Sequence, residues 1–158
     1  MSELIFRLAR RTDVPAIVAM LLDDEVSAGR EQAQPGASTG EDIDAAYWAG
    51  FEAVDADPRN ELIVAVLGGE PVGTMQLTFI PGVSRGGAER MQIEAVRVRS
   101  ELRGGGIGRR MVNWAVDQAR ERGCRLVQLT TDKRRTEAHR FYASLGFAAS
   151  HEGMKLSL

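Results

Sequence analysis

Four glycines, Gly104, Gly105, Gly106 and Gly108, stand between an apolar stretch and a helix-like pattern. Upstream, "MQIEAVRV" (91–98) is apolar on both parities near its centre, which reads as a strand buried on both faces. Downstream, Ile107, Met111, Ala115 and Ala119 recur every four residues beside Val112 and Val116. Arg109, Arg110, Asn113, Asp117, Arg120 and Glu121 fall largely on the other side, so the segment is an amphipathic helix that Gly123 is placed to end. "CRLVQLTT" (124–131) is a further strand, with Cys124 read as a packed thiol at its start. Strand, glycine turn, helix and strand make a βαβ unit, and that unit favours parallel pairing inside a mixed sheet.

Glycine allows φ > 0 and lets a ligand reach the backbone without meeting a Cβ. A helix start bares unpaired N–H groups at the positive end of the helix dipole. The combination suits an anion such as phosphate. A tight strand-to-helix turn is the plainer reading, and on these grounds alone both stay open. Two familiar phosphate motifs are excluded. A Walker A loop ends in Gly-Lys-Ser/Thr, whereas this turn ends in Gly108-Arg109-Arg110. A dinucleotide fingerprint starting at Gly104 needs glycine at 109, and no acidic residue closes the next strand in time.

The remaining pattern completes an α/β chain. "LIFRLARR" (4–11) reads as a strand, and "TDVPAIVAMLLDDEV" (12–26) as a helix capped by Thr12 or Asp13 with Pro15 in its first turn. Residues 29–40 form a polar loop, and a second helix is expected from Glu41 to about Asp55, with Ile43, Tyr47, Phe51 and Val54 on one face. Two strand-like runs, 62–67 and 72–79, flank Gly68-Gly69 as a hairpin. Residues 80–90 are a turn-rich connection, "RRTEAHRFYASLG" (134–146) is a helix stopped by Gly146, and "GFAAS" and "GMKLSL" are expected as short terminal strands. Those terminal strands offer a route to a homodimer. No internal repeat is visible.

The 158 residues are sized for one domain, expected to span 1–158. A net charge of −2 supplies no basic field for nucleic acid or an anionic membrane. No apolar run reaches the ~20 residues of a membrane span. The mixed charges of residues 1–11 do not read as a signal peptide. With a single cysteine no intramolecular disulfide is available, and the expected location is cytoplasmic. Two histidines, one cysteine and no ligand spacing argue against a metal site.

The stretch Arg103-Gly104-Gly105-Gly106-Ile107-Gly108 resembles the acyl-CoA motif (R/Q)-x-x-G-x-(G/A) of the GCN5-related N-acetyltransferase (GNAT) superfamily. "IEAVRV" before it, the helix and strand after it, and "AHRFYASLGF" (138–147), which is similar to the family's A-x-x-x-Y-x-x-x-G-F segment, stand in the family's order. The resemblance implies a mixed sheet of six to seven strands flanked by about four helices. It implies an N-acetyltransferase that moves an acetyl group from acetyl-CoA to a small-molecule or peptide primary amine, by direct attack in a ternary complex. An acyl-CoA-binding sensor or interaction module without turnover is the alternative.

The resemblance also implies residue roles. Arg103, Gly104, Gly105, Gly106, Ile107 and Gly108 would hold the pyrophosphate through the backbone, with Arg109 beside them. Val96, Arg97 and Val98 would meet the pantetheine arm, and an N–H near 95–97 would polarise the thioester carbonyl. Tyr142 would be the general acid at sulfur. Many family members carry Asn seven residues before the tyrosine; Arg135 stands there, and it is a candidate for the phosphates together with Lys133 and Arg134. Glu94 is the one carboxylate on its strand, expected to share a face with Val96 and Val98. It is a candidate base for the ammonium, against an ion pair with Arg90 or Arg97. His139 and His151 read as ordinary surface or partly buried residues. Substrate choice is expected from residues 29–51, with Glu31, Glu41, Asp42, Asp44, Tyr47, Trp48 and Phe51, and from 80–90.

Overall fold

The computed structural model describes residues 2–23 and 43–158. The chain divides into two compact units, 1–128 and 129–158.

In the first unit β1 (Leu4–Leu8) leads through a 3-10 turn (Arg11–Asp13) into α1 (Val14–Leu22). Asp13 precedes α1 but makes no side-chain cap to it. Its carboxylate takes the Arg10 N–H at 2.7 Å and both guanidinium nitrogens of Arg7, at 2.7 and 3.1 Å. The expected cap is thus replaced by a part-buried ion pair that ties the turn back to β1.

Next comes α2 (Ala45–Ala56), which begins later than expected because Asp44 caps it, accepting the Ala46 N–H at 2.8 Å. Expectations that fall on residues 24–42 lie outside the described residues. The hairpin is β2 (Asn60–Leu67) and β3 (Glu70–Ile80), turning at Gly68-Gly69 with φ of +59° and +84°. A one-turn α3 (Ser84–Gly87) leads to β4 (Arg90–Val98). After a second 3-10 turn (Ser100–Leu102) come α4 (Ile107–Arg122) and β5 (Leu126–Leu129). Cys124 therefore precedes the strand that was expected to contain it, and it is half-buried.

The sheet has five strands in the order β1-β2-β3-β4-β5. The first four run antiparallel, and the α4 crossover leads to the fifth. One sheet face carries Ile63, Met75, Leu77, Phe79, Met91 and Ile93, all buried, and α4 covers it with Met111, Val112, Ala115 and Ala119. Phe6 of β1 stacks on Trp114 of α4 at 5.4 Å. The opposite face carries at one end a cluster of Ala9, Ile17, Val64 and Val66 joined by Leu21, Phe51 and Leu62. Toward β4 that face becomes polar.

The second unit carries α5 (Thr136–Ser144), closed by Gly146 at φ +96° as expected. Residues 147–158 form no strand, which leaves five strands in place of six to seven. Met154 and Leu156 are 95% and 86% exposed. Apolar alternation gives a segment a face, but a strand forms only where an edge accepts its N–H and C=O groups. The described residues contain five helices where about four were expected; the extra one is α3, a single turn with Arg85 and Gly86 in left-handed conformations.

Candidate active site

The end of β4 departs from regular strand geometry. Glu94 pairs with Gln76, yet Arg97 pairs with Thr74, so β4 has one residue more than β3 between these pairs. The extra residue is accommodated at Ala95, whose φ of +52° is left-handed for a residue with a Cβ. A bulge re-aims the strand and withdraws backbone groups from the ladder. It also changes which side chains share a face. Glu94 lies on the same face as Arg97, while Val98 pairs with Gly73 on the opposite one. The expectation that Glu94 faces with Val96 and Val98 assumed unbroken alternation and is corrected by this register.

The expectation of a strand buried on both faces is not met: Met91 and Ile93 share the face under α4, while Arg90 and Gln92 on the other face are half-buried. Met91 and Ile93 are buried, Glu94 and Ala95 are exposed, and Val96, Arg97 and Val98 are half-buried. Neither Arg90 nor Arg97 pairs with Glu94 among the described ion pairs; its carboxylate accepts instead from the Gln92 side-chain amide. Gln92 in turn accepts from Gln128 Nε2 at 2.8 Å. Gln76 and Thr78, across the ladder, both donate to Asn60 Oδ1, at 3.3 and 2.7 Å. The face around Glu94 thus carries oriented neutral amides and a hydroxyl, with Arg97 further along it.

The glycine turn follows within a few residues. Gly104 and Gly106 have φ of +82° and +87°, and the turn from Arg103 to Gly106 is exposed. Gly106 is the N-cap of α4 and supplies no side-chain acceptor. The first α-helical bond inside α4 runs from Arg110 N–H to Gly106 C=O at 3.1 Å, so the amides of Ile107, Gly108 and Arg109 precede the helical ladder. A Cβ at Gly104 or Gly106 would meet nothing within 4 Å. Backbone conformation, not crowding, is what asks for glycine there.

Arg103 braces the turn. Its Nε donates to Val98 C=O at 3.1 Å and its Nη2 to Asp23 C=O at 3.2 Å, joining the end of β4 to the end of α1. Ile107 and Gly108 are half-buried and Arg109 is exposed. The first unit therefore brings Glu94, the bulge, Val96–Val98 and the glycine turn onto one continuous segment.

Tyr142 and Arg135 belong to the second unit. Tyr142 is half-buried, its ring edge-on to Phe141 at 5.0 Å and to Phe147 at 5.8 Å. Arg135 is the half-buried N-cap of α5, its N–H bonded to Asp132 C=O at 2.9 Å. Arg134 is engaged by Asp132 through Nε and Nη2, at 2.9 and 2.8 Å. His139 is exposed, with Nε2 3.2 Å from Asp132 C=O, and His151 is exposed beside Ser150. Of the residues expected to choose the substrate, Asp44 is committed to its cap, Arg11 stacks on Trp48 at 4.5 Å, and Phe51 joins the core cluster. Sequence reasoning missed Gln92 and Gln128; the signal was Gln92 two positions before Glu94, on the same strand parity.

The chain belongs to the acetyltransferase (GNAT) family, whose model matches residues 23–147. It is 33% identical over 106 residues to aminoalkylphosphonate N-acetyltransferase of Salmonella typhimurium, covering 67% of this chain and 68% of that enzyme. Over 90 residues it is 33% identical to glucosamine 6-phosphate N-acetyltransferase of Trypanosoma brucei brucei, covering 57% of this chain and 59% of that one. A crystal structure of a transcriptional regulator from Bacillus halodurans superposes with a TM-score of 0.91 at 43% identity, covering 99% of this chain and all of the other.

Proposed function

We propose that this protein is an N-acetyltransferase that moves the acetyl group of acetyl-CoA to the primary amine of a small molecule, by direct attack in a ternary complex. The observation that carries this reading is the sequence of bulge, strand end and exposed glycine turn along residues 94–108. The left-handed Gly104 and Gly106 fit a diphosphate approaching the α4 amides, and positive dipole there favours the anion. Arg103 and Arg109 add cationic character at the rim. The bulge at Ala95 supports assigning a backbone N–H near 95–97 to the thioester carbonyl and Val96, Arg97 and Val98 to the pantetheine arm.

Glu94 takes a proton from the substrate ammonium, directly or through water. The neutral amine nitrogen then bonds to the acyl carbon, the carbon–sulfur bond breaks, the Tyr142 hydroxyl protonates the departing thiolate, and the second proton that the nitrogen sheds as the amide forms returns to the Tyr142 oxygen through solvent. The proton held by Glu94 passes to solvent. Arg135 is assigned to the coenzyme A phosphates. The two curated relatives, each named for a small phosphorylated or phosphonylated amine, support a small-molecule acceptor over a peptide.

A second reading, an acyl-CoA-responsive regulator without turnover, is favoured by the description of the Bacillus halodurans protein. One experiment separates the two. Melting temperature is measured with coenzyme A, acetyl-CoA, ATP and NAD, and an amine panel including aminoalkylphosphonates and amino-sugar phosphates is assayed for free thiol. The enzyme reading expects stabilisation by the first two ligands only. It also expects turnover that falls about a hundredfold in Tyr142→Phe. Binding without turnover on any amine establishes the regulator reading, and absence of binding overturns both.

A further inference from the structure

We infer that Gln92 is a positioning residue for Glu94, oriented by Gln128. The inference rests on the reading of Glu94 as the proton acceptor. A glutamine amide has one end that donates and one that accepts. Gln128 Nε2 donates to Gln92 Oε1 at 2.8 Å. That bond turns the Gln92 NH₂ away from β5 and onto Glu94 Oε1. Three side chains on two neighbouring strands thus form one directed chain that ends on the carboxylate.

The neighbouring groups sharpen the argument. Gln76 and Thr78 stand opposite Glu94 and Gln92, but the hydrogen bonds both donate run to Asn60 Oδ1. Asn60 Nδ2 in turn donates to Asp57 Oδ2 at 2.9 Å. This second chain runs away from Glu94. A carboxylate has about four lone-pair sites. Gln92 occupies one and fixes the side-chain rotamer, and the remaining lone pairs face solvent on an exposed residue, open to an incoming ammonium. Regular strand parity places Gln92 and Glu94 on one face, and the bulge begins only after them. The support is therefore built into rigid sheet while the reacting end borders the irregular segment.

The test is a double-mutant cycle of Gln92→Leu and Glu94→Gln, read as kcat and KM for the best amine. Gln92→Leu removes the donor at similar volume and is expected to lower kcat about tenfold, the size of one charge-assisted hydrogen bond, with KM for acetyl-CoA unchanged. In the Glu94→Gln background the same change is expected to have no further effect. Gln128→Leu, which frees the Gln92 amide to rotate, is expected to lose less than Gln92→Leu. Equal losses from Gln92→Leu in both backgrounds, or no loss in the native protein, overturn the inference while leaving Glu94 as the base. No effect of Glu94→Gln on kcat overturns the base itself. Where no amine turns over, or Gln92→Leu does not fold, the side-chain amide signals of Gln92 are read by NMR in the native protein, Glu94→Ala and Gln128→Leu. Displacement of both amide protons in each variant supports the chain, and unchanged signals overturn it.

Discussion

Met111 of α4 lies so close over Gly73 of β3 that a Cβ at position 73 would stand 2.7 Å from its sulfur and 3.2 Å from the Arg97 carbonyl oxygen. The glycine lets the helix that starts at the candidate cofactor turn sit directly on the sheet. Gly73→Ala is expected to lose about 1–3 kcal/mol by overpacking. Gly50→Ala, in α2 with nothing within 4 Å, is expected to gain up to about 1 kcal/mol. Denaturant unfolding of both variants measures the contrast.

Gly106 and Gly123 cap the two ends of α4 with nearly equal left-handed φ, +87° and +84°. Alanine at either is expected to cost about 1–2 kcal/mol of stability through the backbone alone. Only Gly106→Ala is expected to weaken coenzyme A binding, because only that end is proposed to carry the diphosphate. Calorimetric Kd values for the two variants, compared at matched loss of Tm, decide it; equal affinities would remove the glycine turn from the binding site.

Asp13 is 5% exposed and paired with Arg7. The Arg7 hydrogen bonds, foremost, and the Arg10 N–H hold its carboxyl below the usual value, against the opposing effect of burial. A native value lower than the unfolded one gives stability that is complete above about pH 4. It is lost as the pH falls through the native value. Asp13→Asn is expected to cost about 2 kcal/mol at neutral pH. The gap from the native protein should close on acidification, as followed by urea midpoints between neutral and acid pH.

Burial first, and then the Glu89 carboxylate 3.7 Å away, raise the Cys124 thiol above its ordinary value, with Arg122 opposing. The reactive thiolate is correspondingly scarce near neutrality. Alkylation by iodoacetamide is expected to be slow and to accelerate as the pH is raised. Glu89→Gln, which removes the repelling charge, is expected to react faster than the native protein at the same pH.

Much of this architecture was written in local pattern. The four-residue recurrence of Ile107, Met111, Ala115 and Ala119 announced α4, and Gly123 and Gly146 announced helix ends, because helical periodicity and left-handed caps are properties of a few consecutive residues. The glycine turn was legible for the same reason. The bulge was not. "IEAVRV" reads as one unbroken strand, and only the pairing of Glu94 with Gln76 and Arg97 with Thr74 reveals the additional residue. The terminal segments erred in the opposite direction, since short strands were expected there and no ladder formed.

By itself the sequence determined the order of strands and helices from β1 to α5 apart from the one-turn α3, the place where α4 starts on glycine, and the chemical types available along residues 94–108. Tertiary structure alone decided which face Glu94 shares, which amide reaches its oxygen, and that Asp13 holds an arginine where a helix cap was expected. The physical reason is range. Periodicity and backbone propensity act over neighbours in the chain, whereas strand register and side-chain hydrogen bonds join residues as far apart as Gln92 and Gln128, and exist only once the sheet has assembled.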